Sequence, residues 1–279
     1  MSKNKIKVAF QGEIGAYSEE AAFKFWKDQI ETIPYKSLTD VFEIVEKGKA
    51  DYGIVPVENS LEGSIGQTYD LLLKSKLKIS GETTLRIEHC LIANPDIKIN
   101  QVKRVYSHPQ ALGQCRKFLE KFNWEIIPTY DTAGSVKMLK EKKLKDSAAI
   151  ASQRAAQIYN MEILKKGIER NIKNFTRFFI IAKKDWENPT GSDKTSIIFT
   201  TKHKPGALYK ALGIFAVSDI NLTKLESRPI IGKPWQYNFY LDFLGHRKEK
   251  PIREALEILK QNTLFLKILG SYPKAKESF

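Results

Sequence analysis

Cysteine is almost missing from this chain: Cys90 and Cys115 are the only two in 279 residues. They form no pairing pattern and lack the Cys/His spacing that zinc requires, so a disulfide framework and a structural zinc site are both excluded, and two buried or inert thiols are expected. Long apolar runs are missing too. No stretch approaches the roughly 18 residues of a membrane helix, and the apolar run in the opening "MSKNKIKVAFQGE" is too short for a signal-peptide core. The expected location is therefore the cytoplasm, with no membrane partner. A glycine-rich phosphate loop is absent: "QGEIGAYS" satisfies neither G-x-G-x-x-G nor G-x-x-x-x-G-K-[ST], which argues against nucleotide binding. Acidic residues are in deficit, 32 against 46 Lys and Arg, for a net charge of +14. The excess is scattered ("KEKKLK", "LKKGIERNIK", "HRKEK"), with no basic stripe, interleaved aromatics or helix-turn-helix pattern. Nucleic acid is not an expected partner, and a diffuse positive field suits a small anion better.

What is present is ordinary for a globular protein: 42% hydrophobic and 28% charged residues, enough for one large core or two smaller ones. "KKDWENPTGSDK", residues 183–194, has no periodicity and reads as a linker. Beyond it the order is strand "TSIIFTT", helix from Pro205 to about Val217, strand "INLTKLES", strand "WQYNFYLDF", helix from Pro251 to about Lys260, strand "TLFLKILGSY", or βαββαβ. Ile252, Ala255, Leu256 and Leu259 share one face of the second helix. Before the linker a short apolar strand repeatedly runs through small polar residues into an amphipathic helix: "IKVAF", "YGIVPV", "RVYSH" and "AAIA" each begin such a unit. This alternation predicts an α/β fold with a largely parallel sheet, whose ligands bind at the strands' carboxyl ends and the helix N-termini.

The polar residues at those junctions are the candidate site. In "PVENSLEGSIG", Glu58 precedes a turn whose two glycines and three small polar side chains, Asn59, Ser60 and Ser64, exceed what one helix cap needs, which suggests backbone approach to a ligand. In "YSHPQALGQC", Ser107 ends a strand, and Gln110 and Gln114 share a helical face away from Ala111, Cys115, Phe118 and Phe122. His108 beside Pro109 is expected to bond a backbone carbonyl. "YDTAGSVKML" offers Thr132 and Ser135 at another helix start, where capping is the simpler role. No Ser-His-Asp or Cys-His arrangement can be assembled from spacing. "RNIKNFTRFFIIAKK", residues 170–184, sets Asn174, Thr176 and Arg177 just before a buried apolar strand.

Taken together, "GEIGAYSEEAA", "GIVPVENSLEGSIG", "VYSHPQALGQC", "DTAGSV", "AAIAS", "NFTRFFII", "KPGALYKAL" and "INLTKLESRP" resemble the prephenate dehydratase family, in its order and over nearly the whole chain. The resemblance implies a two-lobed catalytic region like the type II periplasmic binding proteins at 1–185, with lobe one about 1–79 plus 171–185 and lobe two about 80–170. It further implies a linker at 186–194 and an α+β, ferredoxin-like ACT regulatory domain at 195–279. The strand "IKVAF" begins almost at once, which leaves no room for the N-terminal chorismate mutase that some members carry.

The implied reaction converts prephenate to phenylpyruvate with loss of carbon dioxide and water, without metal or organic cofactor, in phenylalanine biosynthesis. Motif matching makes Thr176 the catalytic threonine, donating to the departing ring hydroxyl, with Asn59, Ser107 and Gln114 as further catalytic residues. Ser60, Glu58, Gln110, Arg177, Phe178 and Thr132 would bind substrate. Arg177 would hold the pyruvyl carboxylate, because a cation on the departing carboxylate would stabilise the ground state; a hinge role on a protein carboxylate is its alternative. His89, in the looser "GETTLRIEHCLIA", is expected to be structural. In the C-terminal domain Gly206, Ala207, Leu208, Asn221, Leu222, Glu226, Ser227, Arg228 and Pro229 would form a phenylalanine effector site where ACT domains pair, implying feedback inhibition and a homodimer or homotetramer. Two rivals stand beside this reading: an arogenate dehydratase, and a non-catalytic amino-acid sensor.

Overall fold

The computed structural model describes residues 5–276. In chain order the first elements are β1 (Ile6–Gln11), α1 (Tyr17–Trp26), β2 (Ile30–Tyr35), α2 (Leu38–Glu46), β3 (Tyr52–Asn59), β4 (Gly63–Ser64), α3 (Gly66–Lys74) and β5 (Lys78–Arg86). There follow β6 (Cys90–Ala93), β7 (Arg104–Ser107), α4 (Pro109–Gln114), α5 (Arg116–Leu119), β8 (Glu125–Pro128), α6 (Thr132–Glu141), β9 (Ser147–Ala151), α7 (Gln153–Tyr159) and β10 (Glu162–Lys166). The chain then continues with β11 (Phe175–Ala182), β12 (Asp193–Thr200), α8 (Ala207–Val217), β13 (Leu222–Ile230), β14 (Lys233–Leu244), α9 (Lys250–Asn262) and β15 (Phe265–Pro273).

Three sheets organise these elements. The first has the order β2-β1-β3-β11-β5, with β4 paired to β3; the second has the order β10-β6-β9-β7-β8. The chain thus leaves the first sheet after β5, builds the second, and returns as β11. Two stretches make the crossing, and they pair with each other: Ile87 N–H donates to the Asn174 carbonyl at 2.8 Å, and Ile168 N–H to that of His89 at 3.2 Å. Parallel pairing joins β1 to β2 and β3, and β7 to β8 and β9. The pairs β6–β9 and β6–β10 are antiparallel, so the second sheet is mixed where a largely parallel one is expected.

Local chemistry sets the helix starts. Ser37 and Asp40 form a reciprocal capping box on α2, and Ser152 caps α7 through Ala155 N–H. The cap of α6 is Asp131 rather than Thr132 or Ser135. Alternate residues of β7 and β9, Val105, Ala148 and Ile150, bury their side chains with Leu91 and Leu112 in the core of the second lobe.

The chain divides into two compact units, residues up to Ile65 with Thr83–Phe178, and Gly66–Glu82 with Phe179–Lys276. The second contains the βαββαβ order as a four-stranded antiparallel sheet, β13-β14-β12-β15. Phe199, Leu241 and Phe243 on one sheet face pack against Ala211 and Phe215 of α8 and Leu256 and Leu259 of α9. The opposite face carries α3. The Tyr69 ring meets Tyr240 edge-on at 4.9 Å, and the Lys267 ammonium donates to the carbonyls of Leu72, Leu73 and Ser75 at the helix's C-terminal end. These contacts explain why 66–79, expected in the first lobe, falls with the C-terminal unit. No helix among the described residues is long and apolar enough to cross a membrane.

Candidate active site

A cleft in the first unit is lined by residues of both lobes and of the crossing stretches. Strand alternation explains what β11 contributes: Thr176 and Phe178 line the cleft, whereas Arg177 between them does not. Arg177 instead lies 3.8 Å from Glu58. Neither lines the cleft, which is the placement of the hinge alternative and not of a substrate clamp.

Asn59 ends β3 and is 5% exposed. Its side-chain oxygen accepts from the N–H groups of Leu61 at 3.0 Å and Glu62 at 3.1 Å, a local turn that the small residues following it permit. Its amide nitrogen is thereby aimed at Asn174 Oδ1, 2.8 Å away, and at Thr176 Oγ1, 2.9 Å away. Asn174 Nδ2 donates to Gln114 Oε1 at 2.8 Å. The same oxygen faces His89 Nε2 at 2.9 Å, and His89 Nδ1 lies 2.8 Å from the Tyr17 hydroxyl. Six side chains from both lobes and the crossing stretches thus form one continuous network ending on Thr176.

Burial pushes the His89 imidazole below its ordinary range, only partly offset by the bond to Gln114, so the ring is neutral near pH 7. Burial also holds the Tyr17 phenol well above its usual range. Tyr17 is brought there by a close approach. Gly15 has φ +94° and sits where a Cβ would lie 2.8 Å from Ala155 Cα, and its carbonyl accepts from Ser152 Oγ at 2.7 Å. The turn therefore closes onto α7 and presents the start of α1, whose N-cap Ala16 supplies no side-chain acceptor to the first N–H groups.

Other expected site residues fall differently. Gln110, Gln114 and Thr132 line the cleft with Asn59, Thr176 and Phe178. Ser107 does not: fully buried, its hydroxyl donates to the Ile150 carbonyl at 2.6 Å and braces β7 on β9. Ser60 is a brace as well, accepting from Phe175 N–H at 2.9 Å and donating to the Lys173 carbonyl at 3.0 Å. His108 lines the cleft but accepts from Gln110 N–H at 3.3 Å as the cap of α4, the reverse of the expected donation to a carbonyl. Tyr17, Tyr130 and Asp131 also line the cleft and are absent from the sequence-based set. Burial raises the Asp131 carboxyl while the Gly134 N–H lowers it. Each carried a signal: Tyr17 opens a helix with acidic residues in its first turn, and Tyr130 and Asp131 begin "YDTAGSVKML" at another helix start.

Among the proposed effector residues, Gly206 caps α8 at φ +74°. Glu226 and Arg228 share one face of β13, and Arg228 makes a two-pronged pair with Asp70 of α3, at 3.1 Å and 2.8 Å. The thiols behave as expected from burial: Cys90 is pushed up to about 11, and Cys115 is raised as well.

Fold and cleft define an α/β protein whose two-lobed region is followed by a ferredoxin-like βαββαβ domain. A profile of the family described as prephenate dehydratase matches residues 8–186. The bifunctional chorismate mutase/prephenate dehydratase of Aquifex aeolicus (strain VF5) is 46% identical over 275 residues, 98% of this chain and 75% of that protein. A prephenate dehydratase from Arthrobacter aurescens, solved in complex with L-Phe, superposes with TM-score 0.88 at 30% identity, covering 96% of this chain and 90% of that one. GqqA, described as a novel type of quorum quenching acylase, also superposes with TM-score 0.88 at 33% identity, covering 96% and 97%. The chain belongs to the prephenate dehydratase family, a family of carbon–oxygen lyases.

Proposed function

We propose that this chain converts prephenate to phenylpyruvate, carbon dioxide and water, with Thr176 as the hydrogen-bond donor to the leaving hydroxyl. The single observation carrying the reading is the Asn59 amide on Thr176 Oγ1 at 2.9 Å. That bond occupies the oxygen's lone pair and leaves the hydroxyl proton to be given across the cleft. Breaking the bond between the ring and its carboxylate sends an electron pair through the ring to expel the hydroxyl, which takes the Thr176 proton and leaves as water, and one proton from solvent restores the threonine. The ring becomes aromatic, and departure of the carboxylate needs no base. A donor fixed in advance, in a site shielded from water, is the main assistance such a step requires. The uncapped N–H groups at the start of α1 suit the pyruvyl carboxylate, while Phe178 and Ile87 offer apolar surface for the ring.

An acylase chemistry like that described for GqqA is not favoured, because the partner on Thr176 is an amide donor and not a base that could make the oxygen a nucleophile. The reading also includes phenylalanine as effector of the C-terminal domain and a cytoplasmic homodimer or homotetramer. The test is phenylpyruvate absorbance from prephenate at neutral pH against a blank without enzyme. Thr176→Ala should lower turnover by about 10² to 10³, and millimolar phenylalanine should lower the wild-type rate. A Thr176→Ala loss below about tenfold removes the donor role. No wild-type turnover of prephenate, with turnover of arogenate, transfers the chemistry to that substrate.

A further inference from the structure

A threonine hydroxyl can serve the cleft as donor only while the protein uses its oxygen and not its proton. Every other member of the network here can be reversed: amides turn end for end and an imidazole moves its proton between two nitrogens. Something must therefore fix the direction of the whole chain of hydrogen bonds. One anchor is at the Thr176 end, where Leu61 and Glu62 N–H both bind Asn59 Oδ1 and turn its NH₂ toward Thr176. The structure points to a second anchor at the far end. We infer that His89, held between Tyr17 and Gln114, is a positioning residue whose Nε2–H fixes the direction of the network and so keeps Thr176 a donor. The inference rests on the dehydratase reading and deepens it.

The two directions differ in what Thr176 must do. Gln114 Oε1 already accepts from Asn174 Nδ2 at 2.8 Å, so the nitrogen facing that oxygen at 2.9 Å, His89 Nε2, must carry a proton. Nδ1 then holds a lone pair, which the Tyr17 hydroxyl meets at 2.8 Å while sharing its single proton with the Glu88 carbonyl at 2.9 Å. An imidazole protonated on Nδ1 instead would set its Nε2 lone pair against Gln114 Oε1. Gln114 would have to turn, placing its NH₂ against that of Asn174. Asn174 would turn in consequence and oppose Asn59. With Asn59 reversed, its carbonyl would face Thr176 and take the hydroxyl proton, while its NH₂ opposed the N–H groups of Leu61 and Glu62. In the observed direction the three amides and the Nε2–H each meet a complementary group, with Gln114 Nε2 donating to Glu62 at 3.4 Å, whereas the reverse sets the Asn59 NH₂ against the N–H groups of Leu61 and Glu62. His89 is only 3% exposed and sits in a crossing stretch, its backbone N–H bound by Glu169 at 2.9 Å. It thereby joins Tyr17 of the first lobe to Gln114 of the second.

The test combines kinetics with the ring proton itself. The chain has four histidines, few enough for a long-range ¹H–¹⁵N spectrum to assign the protonated nitrogen of each. The signal lost in His89→Gln must report Nε2–H in the wild type. His89→Leu removes the donor to Gln114 and should lower kcat by about 10- to 100-fold, the cost of one unsatisfied buried group, with KM changed by less than about threefold because His89 acts through Gln114. His89→Gln can place an NH₂ where Nε2–H stood and should keep kcat within about fivefold of wild type. A wild-type proton on Nδ1, equal losses in the Leu and Gln variants, or an unchanged kcat in His89→Leu would each overturn the inference. Should the wild type fail to turn over prephenate, the dehydratase reading fails by itself, and the spectrum still decides the direction of the network.

Discussion

The two units each bury a polar network, and they build it from different materials. On the C-terminal sheet the Ser196 hydroxyl bonds Asp242 at 2.5 Å and Tyr272 at 2.6 Å, and Lys194 pairs with Glu82 at 2.9 Å. Charged groups fix the direction of these bonds. The cleft network contains an imidazole, three amides and two hydroxyls, touches a charge where Gln114 Nε2 donates to Glu62 at 3.4 Å, and ends on a hydroxyl at the cleft wall. Charge makes a network self-orienting but holds its protons in place. A neutral network can present a proton to a ligand, provided a turn at one end and a tautomer at the other fix its direction.

The largest effect that sharpens this contrast is expected on the charged side. Glu82 has its side chain 1% exposed, and the same oxygen accepts from Lys194 and, at 3.0 Å, from Ala275 N–H. Lys194→Met keeps the length of the side chain and removes its charge, taking the Lys194 cation from a buried carboxylate. Breaking one side of a buried pair costs about 3–5 kcal/mol, readable as a lower urea midpoint at constant slope. Turnover per folded molecule should hold, because the lesion lies outside the cleft. A loss below about 1 kcal/mol would mean that backbone donors alone satisfy Glu82.

On the neutral side the expected effect is smaller and depends on pH. The groups facing His89 are the Tyr17 hydroxyl, the Gln114 amide and the Glu169 carboxylate, and burial outweighs the carboxylate in lowering the ring's affinity for a proton. The unfolded histidine titrates near about 6.5, and the folded one titrates lower. Below that pH the unfolded chain therefore binds the extra proton, and stability falls as pH falls. His89→Gln should flatten this part of the urea-midpoint profile between about pH 6.5 and the folded pKa. An unchanged slope would assign it to another group.

The C-terminal unit was the more legible in the sequence: its six elements occur in the order that periodicity predicts, because each strand or helix declares itself through its own apolar face. The catalytic unit was legible in its motifs and less so in its contacts. Asn59, Gln114 and Thr176 stand far apart in sequence, and nothing in their spacing says that Asn174 and His89 complete the chain between them. The turn around Asn59 was visible as an excess of small residues, but its consequence, the aim of one amide, depends on a crossing that only the folded chain supplies. Ser107 misled for a physical reason, since a serine ending a strand before a helix serves equally well as a brace on the neighbouring strand.

Arg177 gives the smallest expected effect and the sharpest test of whether the cleft holds its anion without a cation. Sequence places it beside Thr176, and the resemblance makes it the natural holder of a carboxylate. The strand sets it on the other face, 3.8 Å from Glu58, with side chains 14% and 36% exposed. A partly exposed pair of this kind contributes up to about 1 kcal/mol. Arg177→Met should therefore lower stability by no more than that and leave KM for prephenate within about threefold, since uniform binding energy is what KM would report. A tenfold rise in KM with kcat unchanged would return the guanidinium to the substrate, and the cleft would then bind its anion with a charge as well as with backbone N–H groups.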